Sequence, residues 1–113
     1  YSWPAAGPAA AAAPGQRLTL RRPDDWHLHV RDGAGMRSAV PHSGLFGRAI
    51  VMPNLQPPVT TAHLAQEYRD RILTAMPGGG GFRPLMTLYL TDDTPAEEVG
   101  RAAQAGGGGL QPY

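Results

Sequence analysis

The 113-residue chain has no cysteine and no lysine; all ten of its basic residues are arginine. The first absence excludes a disulfide framework and a thiolate metal site, so any metal would rest on His, Asp or Glu. The second removes the amine side chain as a catalytic group. Long apolar runs are missing as well. None approaches the ~20 residues that span a bilayer, so the chain is expected to be soluble, with no membrane partner. Charge of one sign is also lacking: ten basic residues face nine acidic ones, for a formal net charge of +1. Nucleic acid is therefore not an expected partner, and a small polar substrate remains open. Length sets a further bound, because a closed barrel or a doubly wound sheet usually takes roughly 200 residues or more.

What is present begins with "YSWPAAGPAAAAAPGQ", an Ala/Pro/Gly stretch whose prolines break any helix that its alanines favour. Residues 1–16 are expected to be disordered. The stretch is a candidate remnant of an organelle-targeting peptide, although such peptides are rich in Ser and Arg and this one has a single Ser and no Arg. Cytoplasm and plastid or mitochondrion stay open as locations.

From Arg17 the pattern becomes ordered. "LTLRRPDDWHLHV" predicts an edge or entry strand, a break at Pro23, and a second strand from about Asp25 to Val30. Period-two geometry then puts His27, His29 and Arg31 on one face and Trp26, Leu28 and Val30 on an apolar one. "GAGMRSAVPHSGL" predicts one or two helical turns, ended by Pro41. Ala49–Met52 reads as a strand buried on both faces, as in a parallel sheet. Thr60 or Thr61 can cap a helix over "TTAHLAQEYRDRILTAM", where Leu64, Tyr68, Ile72 and Met76 recur at helical spacing. "RPLMTLYL" is a third strand. "TPAEEV" predicts a capping box with Thr94 as N-cap, Pro95 at the first helical position and Glu97 at the third, in a helix closing near Gln104. Strand and helix thus alternate three times, the pattern of βαβ units around a parallel sheet.

In such folds reacting groups gather at the carboxyl ends of strands, where His27, His29, Arg31, Asn54 and Thr91–Asp92 fall. Two imidazoles at i and i+2 on a strand sit about 6.5–7 Å apart at Cα and can converge on one cation. Spacing alone leaves a metal pair and a solvated pair both open. Arg31 adds a planar fork suited to a carboxylate. His42 and His63 read as solvated. Asn54 after Pro53 is either a turn residue or a displayed amide. Asp24–Asp25, Asp92–Asp93 and Glu97–Glu98 read as turn, cap and helix-dipole residues, because neighbours on a strand point to opposite faces and cannot form an acid/base dyad.

"RPDDWHLHVRDG", "GRAIVMPNLQPPVTT", "YRDRIL" and "PLMTLYLTD" together resemble, over about Leu18 to Gly106, the amino-terminal portion of dihydroorotase. The likeness is to the single-function type of bacteria and of plant and algal organelles. It implies a partial (β/α)8 TIM barrel of the amidohydrolase kind, with about the first three βα units in residues 17–113 and no closure within this chain. It implies interconversion of N-carbamoyl-L-aspartate and L-dihydroorotate at a binuclear Zn2+ site, and a homodimer at full length. His27 and His29 match the family's metal-binding HxH; Arg31 and Asn54 match the residues that hold the substrate carboxylate. The family's carbamylated lysine, its later histidines and its proton-shuttling aspartate have no counterpart here. Two ligands fall short of the three or four a zinc site takes, so the isolated chain is expected to be an inactive fragment. A noncatalytic remnant or partner-binding module, and a related hydantoinase or allantoinase, are the alternatives. The geometric expectation is specific: two imidazoles and one guanidinium on the same side of one extended segment, aimed at a point beside Asn54.

Overall fold

The computed structural model describes residues 14–79, 81–105 and 110–112. Most of the segment expected to be disordered, residues 1–13, lies outside the described residues. Four strands, β1 (Asp25–Leu28), β2 (Arg48–Val51), β3 (Arg83–Leu88) and β4 (Leu110–Pro112), alternate with helices α1 (Gly33–Ser43), α2 (Ala62–Ala75) and α3 (Ala96–Ala105). All three strand pairings are parallel, in the order β1-β2-β3-β4. The result is an open α/β sheet of three βα units plus a fourth strand. Pairing of β4 with β3 starts just beyond a run of four glycines in the sequence, with Leu110 against Met86.

The helix and strand chemistry follows the buried residues. From Pro84 to Leu88 every residue of β3 is buried, as a strand covered on both faces requires. Thr87, the polar member of that run, donates its hydroxyl to the Val51 carbonyl at 2.6 Å, so its burial leaves no polar atom unpaired. In α2, Thr61 accepts the Leu64 amide and caps the helix, and the buried stripe runs Ala62, Ala65, Tyr68, Ile72. Leu64, expected on that stripe, is exposed because Ala65 takes the contact with the core.

Three local expectations are corrected. Helix α1 does not stop at Pro41 but runs through it to Ser43. Burying Met36 and Val40 contributes about 1.5–3 kcal/mol each, which offsets a proline's penalty of about 3 kcal/mol in a helix interior. Thr94 does not close a capping box, since its Oγ1 accepts the Thr91 amide at 2.9 Å and so tightens the turn before α3. The expected entry strand reduces to one bridge residue at Thr19.

The fourth correction concerns β1. Asp25 pairs with Ala49 and Leu28 with Val51, so β1 spends three steps where β2 spends two. That surplus residue is a β-bulge, and it breaks the strict alternation expected of the segment. Trp26 and His27 are consequently exposed side by side, Trp26 at 56 %, rather than Trp26 joining Val30 in the core. The Arg48 guanidinium lies 5.4 Å from the centre of the Trp26 ring and also binds Asp24 at 2.6 Å.

Candidate metal and substrate site

The bulge and the end of β1 determine how the two histidines meet. Asp25 Oδ1 accepts the His27 amide at 2.9 Å, holding the bulged backbone. Extended pairing ends at Leu28, whose carbonyl takes the Met52 amide at 2.9 Å, and His29 follows immediately. The two rings then approach edge to face, with centroids 4.9 Å apart and Nε2 atoms 3.0 Å apart. They line an open cavity of about 420 Å3 with Met52, Pro53, Asn54, Tyr89 and Leu90. The cavity sits at the carboxyl ends of β1, β2 and β3, where parallel sheets collect their ligand-binding residues.

Three of the four site residues expected from sequence therefore come together: His27, His29 and Asn54. Arg31 is not among the residues lining the cavity. It sits beyond the end of β1 in the left-handed region, at φ 59°, so the expected single extended segment does not reach it. Its carbonyl accepts the Tyr68 hydroxyl at 2.7 Å. Thr91 and Asp92 do not line the cavity either; Tyr89 and Leu90 do, one and two residues past the end of β3. The reasoning that singled out Asn54 after β2 would have found them, had apolar residues been counted with polar ones. His42 is exposed, and His63 lies 3.1 Å from Glu67 on the outer surface of α2.

The loop that displays Asn54 is held at several points. Val59 donates its amide to the Pro53 carbonyl at 2.9 Å and accepts the Tyr89 amide at 2.7 Å, which ties the loop to the end of β3. The peptide bond between Gln56 and Pro57 is cis. At the loop's far end, Glu98 Oε1 accepts the Ala62 amide at 2.6 Å while Oε2 pairs with Arg101. Sequence reasoning took Glu98 for a helix-dipole residue, yet it is 7 % exposed and joins α3 to the first turn of α2. The Ala62 amide, with Arg101 beside it, holds the Glu98 carboxyl below its ordinary value of 4.5. A lowered pKa stabilises the fold fully above the unfolded value and ceases to do so as pH falls through the folded one. Below about pH 4.5 the α2–α3 link is thus expected to weaken. The protection of the Ala62 amide, its exchange rate relative to an unprotected amide at the same pH, should fall on acidification, and Glu98→Gln should flatten that dependence. An unchanged profile in the variant would assign the acid response elsewhere, for instance to Asp24, whose carboxyl Arg48 also holds low.

Two nitrogens bound to zinc at ~2.0–2.1 Å in a tetrahedron stand roughly 3.3 Å apart. The 3.0 Å between the His27 and His29 nitrogens is close to that, and both face the same cavity. The pair fits as two ligands of such an ion. No cluster of three or more His, Cys, Asp or Glu is present among the described residues. Among the same residues no helix is long and apolar enough to cross a membrane.

No family model matches the chain. Curated relatives do. A dihydroorotase of Delftia acidovorans is 67% identical over 90 residues, covering 79% of this chain and 26% of the relative. One from Variovorax paradoxus is 62% identical over 97 residues, covering 85% of this chain and 28% of the relative. Among solved structures, the dihydroorotase of Campylobacter jejuni superposes with a TM-score of 0.69 at 35% identity, over 75% of this chain and 25% of that one. That of Saccharomyces cerevisiae, in complex with 5-fluoroorotic acid, gives 0.65 at 35% identity, over 74% and 22%. Fold and sequence agree: the chain is similar to dihydroorotases over 79% to 85% of its own length, and spans 26% to 28% of the length of the curated relatives it matches.

Proposed function

We propose that this chain carries the first metal-binding strand and the substrate-carboxylate residues of a dihydroorotase, for the interconversion of N-carbamoyl-L-aspartate and L-dihydroorotate. The observation that carries the reading is the convergence of the His27 and His29 Nε2 atoms at 3.0 Å beside Asn54, in a chain with these relatives. His27 and His29 would hold zinc, which when bound lowers the pKa of a coordinated water and polarises an amide oxygen. Asn54 presents an amide to a free carboxylate, and Arg31 adds a guanidinium able to bind one through two parallel hydrogen bonds. Fixing that carboxylate turns the ring carbonyl toward the nucleophile and supplies orientation rather than bond making. Tyr89, Leu90, Met52 and Pro53 add apolar surface to the cavity, suited to the face of a flat ring. The yeast relative's bound 5-fluoroorotic acid is a ligand of that shape.

On this reading the four strands form one side of a (β/α)8 barrel wall, and the remaining zinc ligands come from strands this chain does not contain. The 113 residues alone are then inactive. A chimera tests this, with residues 17–105 replacing the matching segment of the Delftia acidovorans dihydroorotase. It is expected to fold and to hydrolyse L-dihydroorotate in the presence of zinc. A chimera that folds and holds zinc yet turns over no dihydroorotate would remove the reading.

A further inference from the structure

Arg31 stands in an unusual place. A non-glycine residue at φ 59° is uncommon, because its Cβ crowds the backbone there, and it persists only where surrounding structure imposes it. Nothing in Arg31 itself favours that conformation. Two residues on, Gly33 also has positive φ, at 58°, without the same cost. Between them, Asp32 caps α1 through the Gly33 amide at 2.9 Å and binds Arg71 of α2 at 3.0 Å. A further grip on the turn is the Tyr68 hydroxyl, which donates to the Arg31 carbonyl at 2.7 Å. Tyr68 is 1 % exposed and packed in the core, and the Arg71 guanidinium lies 5.4 Å from the centre of its ring. Burial, with Asp32 adding, pushes its phenol up to about 12, so it remains a donor at neutral pH.

We propose that Tyr68 is the positioning residue for Arg31: its hydroxyl holds the carbonyl of the left-handed turn and thereby sets the direction in which the guanidinium leaves the backbone. The functional weight of that role rests on Arg31 being a carboxylate-binding residue, as proposed above. The positioning itself does not. Swinging the turn back to an extended conformation would turn the Arg31 side chain to another side of the chain, while leaving its charge and sequence position unchanged.

Trypsin reads the anchor directly, because the carbonyl that Tyr68 grips is the one the protease must attack after Arg31. In Tyr68→Phe, which keeps the ring and the core, cleavage between Arg31 and Asp32 is expected to rise at least fivefold. Cleavage after Arg48 in β2 and after Arg71 in α2 should rise less than twofold. Tyr68→Leu, which removes the ring, serves as the structural control and should accelerate all three sites together. Equal acceleration at the three sites in Tyr68→Phe, or none, would overturn the proposal. In the chimera the same substitution is expected to raise KM for L-dihydroorotate several-fold with little change in kcat. If digestion shows the anchor loosened and KM stays put, the positioning stands and the assignment of Arg31 to the substrate fails.

Discussion

Titrated with zinc at neutral pH, the 113-residue chain is expected to bind weakly, and His27→Ala or His29→Ala to weaken it at least tenfold further. A full structural zinc site contributes roughly 10–16 kcal/mol from about four ligands. Half that set contributes roughly 5–8 kcal/mol, a Kd between about 1 μM and about 0.2 mM. The rings are already within bonding geometry of one ion, so little ordering has to accompany binding. Losing one leaves a single imidazole, with no carboxylate among the residues lining the cavity to replace it. His42→Ala and His63→Ala are the controls, since both side chains lie on exposed surface away from the cavity. Competition against a chromophoric chelator measures all five proteins. Nanomolar binding by the unsubstituted chain would mean that further ligands are being recruited, and insensitivity to His27→Ala would sever the metal from this site altogether.

The second large effect is on the fold. Ile72 has no exposed surface and lies on the stripe by which α2 meets the sheet. Ile72→Ala is expected to cost about 2–5 kcal/mol, by lost transfer energy and by the cavity left behind. Native domains of this size hold only ~5–15 kcal/mol in total, and an open sheet belongs near the lower end. With a urea slope of about 1–3 kcal/mol per molar, the unfolding midpoint should fall by roughly 1 M or more, or no folded baseline should remain. Leu73→Ala, one residue along and 36 % exposed, should move it far less. Equal shifts for the two substitutions would place the core elsewhere than on the Ala65–Tyr68–Ile72 stripe.

Much of this was legible in the sequence wherever local chemistry and burial agree. In α2 the cap at Thr61, the positions of Tyr68 and Ile72 and the glycines after Pro77 all point the same way, and its limits came out as expected. Strands β2 and β3 were readable because their runs are apolar without alternation. The pairing of His27 with His29 was readable from spacing, although the route to it was not: the bulge depends on how Asp25 and Leu28 register with β2, which no local pattern encodes. Glu98 was only half legible for the same kind of reason. Its neighbours in sequence make it a first-turn acid, whereas its amide partner lies 36 residues away. Arg31 shows the limit most clearly, since nothing within five residues calls for a left-handed arginine and the group that holds it arrives from α2.

The bulge also separates two tasks that an unbroken strand would have to share. Upstream of it, Asp24 and Asp25 are fastened to Arg48 and Ala49; downstream, Leu28 is fastened to Val51 and Met52. Between these clamps lies slack of a single residue, at Trp26–His27. An exchange of one bulky side chain for another in the outer part of the strand can therefore be absorbed in that slack before it reaches Leu28 and the His29 imidazole beyond it.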